Sequence, residues 1–162
     1  KLVDEMTDDV AVGLSETKIR FTVDDAILTS KLIDGTFPDY NRVIPEGNDK
    51  TMEVDTKLFA DAVDRVSAIS SEKSRAVKLT SIGDSLTLSS SSPDSSSATE
   101  ELEVSYKGED LEIGFNAGYL LDIIRQIEGP GIRLLLADTA SPTILSEVDD
   151  TGALYVLMPM RV

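Results

Sequence analysis

The feature that most constrains the fold of this chain is a repeated pattern of one amphipathic helix followed by three β-strands. The clearer copy opens with a strand at Met52 and Val54, after which Asp55 and Thr56 can cap a helix. The helix has the apolar spacing of an element with one buried face. Its apolar positions are Leu58, Phe59, Ala62, Val63, Val66 and Ile69. Strands are predicted after it around residues 76–82, 85–89 and 100–106.

A second copy follows directly, and part of another precedes the first. The second copy has a strand at 111–115, a helix capped by Asn116, and strands around 132–137, 143–148 and 153–158. Residues 1–33 resemble the end of a further copy, with a helix end at Leu2, Val3 and Met6 before strands at 10–14, 19–23 and 27–33. We therefore expect an α+β architecture of stacked units, in a chain truncated at its N-terminus.

The composition removes several classes of function. The chain has no Cys and no His, so it cannot hold a disulfide, a thiol nucleophile, a Ser-His-Asp triad or an imidazole zinc site. It has no apolar run long enough to span a bilayer and no signal-peptide pattern. The absence of Cys fits a reducing cytosol, and we expect a cytoplasmic protein without membrane partners.

The net charge of −15 argues against nucleic-acid binding, because DNA-binding proteins usually have a basic surface. The charge is unevenly distributed, however. The two helical segments, residues 55–75 and 116–128, contain five basic and six acidic residues, whereas the whole of 49–162 contains ten basic and twenty acidic. The strands and loops are therefore much more acidic than the helices.

Three segments outside the repeat have their own patterns. Residues 34–48 contain Gly and Pro together with apolar side chains, and predict an interdomain connection that packs against something. Residues 89–98 are rich in Ser and predict a mobile hairpin loop. The strand after them has Glu100, Glu101 and Glu103, which fit either a charged edge that prevents aggregation or one that receives a basic partner strand.

Two segments resemble a known family closely. Residues 30–45 read SKLIDGTFPDYNRVIP, and residues 155–162 read YVLMPMRV. Residues 71–75 (SEKSR) and 112–116 (EIGFN) are also similar to that family. The family is the bacterial replicative sliding clamp, the β subunit of DNA polymerase III, and the resemblance runs the full length of the chain.

The resemblance implies the DNA-clamp fold, in which repeated helix-plus-strand units place the sheets outside and the helices around a central hole. Residues 1–48 would be the second half of the middle clamp domain plus a linker, and 49–162 the complete C-terminal domain. The whole protein would be a non-catalytic homodimeric ring, without cofactor or metal, that encircles duplex DNA. The candidates for weak phosphate attraction are Lys57, Arg65, Lys73, Arg75 and Arg125.

The resemblance also implies a groove that binds short peptides of the polymerase III α subunit, the clamp loader and other partners. Its residues here would be Pro38, Arg42, Val43, Asn116, Tyr119, Ala140, Ser141, Pro142, Val156, Met158, Pro159, Met160 and Arg161. From pattern alone, the tail is better explained as a last strand packed into the core. Ring closure would involve Ala68, Ile69, Glu100, Glu101 and Glu103, and we expect this shorter chain to be monomeric.

Two other functions remain open on the residues themselves. A carboxylate-only enzyme could use the acidic pairs at 8–9, 24–25 or 149–150, but adjacent side chains on a strand point to opposite faces and all three pairs lie at expected turns. An acidic, β-rich surface module is the other alternative. It gives no reason for the YVLMPMR terminus.

Overall fold

The computed structural model describes residues 9–36, 39–70, 75–92, 96–150 and 152–161. The chain forms two compact units, Lys1–Asp39 and Tyr40–Val162. The division precedes the predicted boundary after residue 48, because the connector at 40–48 belongs to the second unit. For example, the Asn48 side chain donates to the carbonyl oxygens of Leu135 and Pro142. The predicted helix end at Leu2, Val3 and Met6 lies outside the described residues.

The first unit contains an antiparallel meander. Its strands are β1 (Ala11–Leu14), β2 (Lys18–Val23) and β3 (Ala26–Lys31), in that order in the sheet. The hairpin between β2 and β3 turns at Asp24, whose φ of 48° is a left-handed conformation that Asp tolerates better than most residues. The acidic pair at 24–25 thus has the turn role that its residue type favours. Among the described residues of this unit, only Val23 is fully buried.

The second unit contains both predicted copies of the repeat. The first copy consists of β4 (Lys50–Asp55), α1 (Thr56–Ser67), β5 (Ala76–Ile82), β6 (Ser85–Ser91) and β7 (Ser97–Glu103). A short β8 (Ser105–Lys107) follows it. The second copy consists of β9 (Leu111–Asn116), α2 (Ala117–Ile124), β10 (Gly131–Leu136), β11 (Thr143–Glu147) and β12 (Tyr155–Leu157).

The two copies interlock by exchanging their first strands. One sheet has the order β12-β11-β10-β4-β8, and the other has the order β7-β6-β5-β9. β4 therefore pairs with β10 of the second copy, with Val54 opposite Ile132, and β9 pairs with β5 of the first copy, with Phe115 opposite Val77. Because each sheet needs a strand from the other copy, the two copies fold around one shared core.

Both helices bury one face and leave the other in solvent. α1 buries Phe59, Ala62, Val63 and Val66, and α2 buries Ala117, Leu120, Leu121 and Ile124. The two helices contact each other, and α1 also packs against strands of both sheets. Each ends slightly earlier than its apolar pattern suggested, at Ser67 and Ile124. The helix pair is thus not enclosed between the sheets.

One strand prediction was wrong, and one loop prediction was too long. The strand predicted over 100–106 is two strands in different sheets, because Asp84 holds a bend between them. Its carbonyl accepts from the Val104 N–H at 2.9 Å, and its Oδ1 accepts from the Tyr106 N–H at 3.2 Å. The loop predicted over 89–98 is too long, because residues 89–91 continue β6 and residues 97–98 begin β7. Ser90 pairs with Ala98, and the Ser90 hydroxyl donates to the Ala76 carbonyl of β5.

Candidate functional site

The N-terminus of α2 supplies one side of a surface groove. Asn116 caps this helix, since its Oδ1 accepts a hydrogen bond of 3.2 Å from the Tyr119 N–H. The cap occupies the side-chain oxygen and leaves the amide nitrogen of Asn116 available as a donor. The Tyr119 side chain is 63% exposed, one turn further along the same helix. Cap and aromatic ring thus lie together at the helix start.

The C-terminal segment supplies the other side. After β12 the chain leaves the five-stranded sheet and reaches the edge of the four-stranded sheet. There the Met160 N–H donates to the Gly114 carbonyl of β9 at 2.8 Å, which forms a single antiparallel bridge. The tail therefore connects the two sheets, and this crossing holds its methionines beside α2.

Between α2 and this tail lies a cavity of about 580 Å³, which we call the tail–helix groove. It is lined by Asn116, Tyr119, Asp122, Ile123, Val156, Leu157, Met158 and Met160. Most of this lining is apolar, and Met158 is 60% exposed although it is a large apolar side chain. Flexible methionine side chains can adapt to apolar groups of different shapes. The groove can therefore accept an apolar side chain of a ligand, and it offers other groups of that ligand polar contacts at the helix start.

The structure brings together five of the predicted groove residues: Asn116, Tyr119, Val156, Met158 and Met160. Pro159 lies in the same tail segment and Arg161 follows it, exposed. The other predicted residues do not line the cavity: Arg42 and Val43 lie in the connector, and Ala140, Ser141 and Pro142 in the loop before β11. Pro38 lies outside the described residues.

Sequence reasoning missed three residues of the lining. Asp122 and Ile123 lie three and four positions after Tyr119, so helical spacing could have placed them on the same face. Leu157 had no such signal, because it alternates with Val156 and Met158 on a strand and would be expected to face away from them.

The loop between β10 and β11 is held by two side chains, one at the start of the loop and one in the connector. Asp138 accepts from the backbone N–H groups of Ala140 at 2.8 Å and Ser141 at 2.7 Å, and from the Ser141 hydroxyl at 2.8 Å. These donors, the Ala140 N–H above all, hold the pKa of Asp138 below its ordinary value. Asn48 contacts the same loop from the connector through its bond to the Pro142 carbonyl.

The predicted DNA-facing cations lie in different settings. Lys57 is exposed on α1, whereas Arg65 forms a paired hydrogen bond with Glu100, its Nε lying 3.0 Å from Oε2. This guanidinium lowers the pKa of Glu100. The Nη1 atom of Arg125 lies 3.7 Å from Oδ1 of Asp122. Arg75 is exposed, and its backbone has a left-handed φ of 40°. Lys73 lies outside the described residues.

Arg75 and Arg125 also line a cleft of about 440 Å³ between the two helices. Asp64 and Asp122 line the same cleft, so its charges are mixed. An exposed, mixed surface of this kind can attract phosphates only weakly.

β7 forms an edge of the four-stranded sheet, and no described strand pairs with its outer side. Glu101 and Glu103 are exposed along this edge, and Glu100 is half-buried against Arg65. At the end of α1, Ala68 is exposed and Ile69 is half-buried. The predicted interface residues thus lie at an open sheet edge and a helix end.

The described residues include no helix that is long and apolar enough to cross a membrane. Nor do they contain a group of three or more Asp or Glu side chains arranged to hold a metal ion.

Comparison with known families identifies both units. Residues 41–161 match the family described as DNA polymerase III beta subunit, C-terminal domain, and residues 1–39 match the central domain of the same subunit. The curated beta sliding clamp of Caulobacter vibrioides is 50% identical over 162 residues, and that of Escherichia coli is 37% identical over 161. This chain is covered to 100% and 99%, respectively, but spans only 44% of the length of each relative.

A solved structure shows the same similarity in three dimensions. The crystal structure of the sliding clamp, DNA polymerase III subunit beta, of Bartonella birtlesii bound to griselimycin superposes with a TM-score of 0.89 at 49% identity. The match covers 99% of this chain and 43% of that one. The predicted DNA-clamp fold is thereby confirmed.

Proposed function

This chain belongs to the DNA polymerase III β-subunit family of sliding clamps, and we propose on that premise that it is part of a ring that tethers the replicative polymerase to DNA. Residues 1–48 would contribute the second half of the middle domain and its linker, and 49–162 the C-terminal domain. The role is mechanical rather than catalytic, and it needs no cofactor. The observation that best supports it is the tail–helix groove, where the MPMR terminus crosses between two sheets beside α2.

We infer that the groove binds short peptides of partner proteins, including the polymerase III α subunit and the clamp loader. The apolar lining around Met158 and Met160 would receive an apolar side chain. Asn116, Tyr119 and Arg161 would make polar contacts at the rim, where directional groups usually lie. Arg42, Val43 and the loop at 140–142 would extend the groove beyond its described lining, and Pro38 completes the proposed set. Because a related clamp has been solved with griselimycin, we expect this chain to bind griselimycin too.

The DNA role rests on the exposed faces of the helices. Lys57 is exposed on α1, Arg125 is exposed at the end of α2, and Arg75 is exposed just before β5, in the cleft beside both helices. Arg65 and Lys73 complete the proposed set. Acidic carboxylates lie among these cations, so contacts with phosphates would be weak and sensitive to salt. Weak contacts suit a ring that is retained by encircling the duplex, since strong ones would prevent sliding. We propose that the strands, which are more acidic than the helices, face away from the DNA. We also propose that the protein acts in the cytoplasm.

The open edge of β7 supports a protein–protein contact. In the complete protein we propose that this edge, with Ala68, Ile69, Glu100, Glu101 and Glu103, closes a homodimeric ring. An unpaired strand edge can extend a sheet into another subunit. This chain spans less than half of its relatives, and we expect it to be monomeric in sedimentation at micromolar concentration.

A peptide titration tests the groove. A fluorescein-labelled peptide with the C-terminal sequence of the polymerase III α subunit is titrated into the unchanged chain and into a Met158→Ala, Arg161→Ala variant. We expect weak binding to the unchanged chain, about tenfold weaker binding to the variant, and displacement by griselimycin. The matched control is Leu154→Ala, Lys107→Ala, which removes an exposed apolar residue and a cation outside the groove. Equal affinity in all three proteins would rule out this groove.

A further inference from the structure

We propose that Asn48 and Asp138 are positioning residues for the tail–helix groove, although neither lines it. They act by holding the loop at 138–142, which in turn places the tail. This inference rests on the proposed peptide-binding function of the groove, and it adds a mechanism by which residues outside the groove control its affinity.

Asp138 holds the loop from within. Its two carboxylate oxygens accept three hydrogen bonds of 2.7 to 2.8 Å, from the backbone of Ala140 and from the backbone and hydroxyl of Ser141. Hydrogen bonds to an ionised acceptor are stronger than those between neutral groups. The carboxylate therefore favours a single arrangement of the residues that lead into β11.

Asn48 holds the loop from outside. Its Nδ2 donates to the Leu135 carbonyl at 2.7 Å and to the Pro142 carbonyl at 2.9 Å, so one amide connects the chain on both sides of the loop. Both partners are carbonyl oxygens, and only the NH₂ end of the amide can serve them. The amide is half-buried and belongs to the connector, so it also ties the connector to this loop.

The position of the loop affects the groove through the pairing of β11 with β12. Pro142 is followed by Thr143, which pairs with Leu157, and Ile144 pairs with Val156. Both partners line the groove, and the next residue of the tail is Met158. β12 has only three residues and the tail beyond it makes one backbone bridge, so the start of β11 is its main lateral support.

Loss of these contacts should lower the affinity for the peptide through the association rate. If the loop is released, the tail occupies its binding arrangement for only part of the time, and the apparent affinity falls by that fraction. Direct contacts with the bound peptide stay the same. We therefore expect slower association with an unchanged dissociation rate, whereas loss of a contact residue such as Met158 should accelerate dissociation.

The experiment compares four substitutions in the full chain, with the labelled α-subunit peptide as the probe. Asn48→Asp keeps the shape of the side chain but removes the donor, and Asp138→Ala removes all three acceptor contacts. Asp138→Asn is the conservative variant, because its Oδ1 can still accept both backbone N–H groups. Asp84→Ala is the matched control, since Asp84 also fixes a bend, at β8, and does not line the groove.

We expect about fivefold weaker binding for Asn48→Asp and for Asp138→Ala, through slower association. Asp138→Asn keeps the acceptor but loses the charge, so we expect a smaller loss of about twofold, and near-normal binding for Asp84→Ala. Hydrogen exchange at the Ala140 and Ser141 amides should accelerate in Asp138→Ala, and circular dichroism should show that each variant is folded. Normal affinity in folded Asn48→Asp and Asp138→Ala would overturn this inference and leave the groove assignment standing. Absence of binding by the unchanged chain would overturn both.

Discussion

Replacement of Thr143 by Val should stabilise the second unit, although it removes a polar group. Thr143 is 0% exposed at the start of β11, and its Oγ1 has no hydrogen-bond partner. A buried hydroxyl without a partner costs about 1 to 3 kcal/mol relative to water. Val has the same branched shape, so it removes this cost without opening a cavity or disturbing the strand.

The expected gain is about 1 kcal/mol in the free energy of unfolding, the lower end of that range, because a small rearrangement can partly satisfy the hydroxyl. For a cooperative unit of roughly 120 residues, the unfolding entropy of about 2.1 cal/mol/K per residue converts this gain into a rise in Tm of about 4 °C. Thermal unfolding followed by circular dichroism measures the Tm, and urea unfolding at 25 °C gives the free energy independently.

The matched control is Thr87→Val in β6, where the side chain is half-exposed and lies opposite Thr80. We expect this substitution to change stability by less than about 0.5 kcal/mol. Thr143→Ser should instead lower the free energy of unfolding by about 1 kcal/mol, because it keeps the hydroxyl and loses a buried methyl group. A Thr143→Val protein with an unchanged or lower Tm would refute the reasoning, since the hydroxyl would then have a favourable partner.

Two further predictions concern capping groups. Asp55→Ala and Asn116→Ala each remove an N-cap and should lower the free energy of unfolding by about 1 kcal/mol in urea titrations, but only Asn116→Ala should also weaken peptide binding; an equal loss of peptide affinity in both would contradict the placement of Asn116. The pKa of Asp138 is held below its ordinary value, so its contribution to stability is present above the unfolded pKa of about 3.9 and is lost as pH falls through the folded value. Hydrogen exchange at Ala140 and Ser141 should therefore show the same protection at pH 5 and pH 7 and lose it only in more acidic solution, and loss of protection between pH 7 and pH 5 would show that the carboxylate is not the group that holds the loop.

The repeat and its helices could be predicted from the sequence because both depend on neighbours along the chain. Apolar residues at helical spacing place Phe59 and Leu120 in the core, and Asp55 and Asn116 mark the helix starts. The groove residues Tyr119 and Met158 came from the family resemblance rather than from periodicity. From the pattern alone, the tail was better explained as part of the core.

The remaining features depend on pairing between distant residues, which local periodicity does not specify. Alternation alone cannot show that β4 and β9 exchange between the two copies, or that the chain changes sheets at Val104. The same holds for the bridge between Met160 and Gly114 and for the amide of Asn48, which meets its carbonyl partners from 87 and 94 residues away along the chain. The sequence by itself determined where the two helices and most of the strands lie. The tertiary structure alone decided which edges meet, because a strand's hydrogen bonds are completed only by the particular strand that packs beside it.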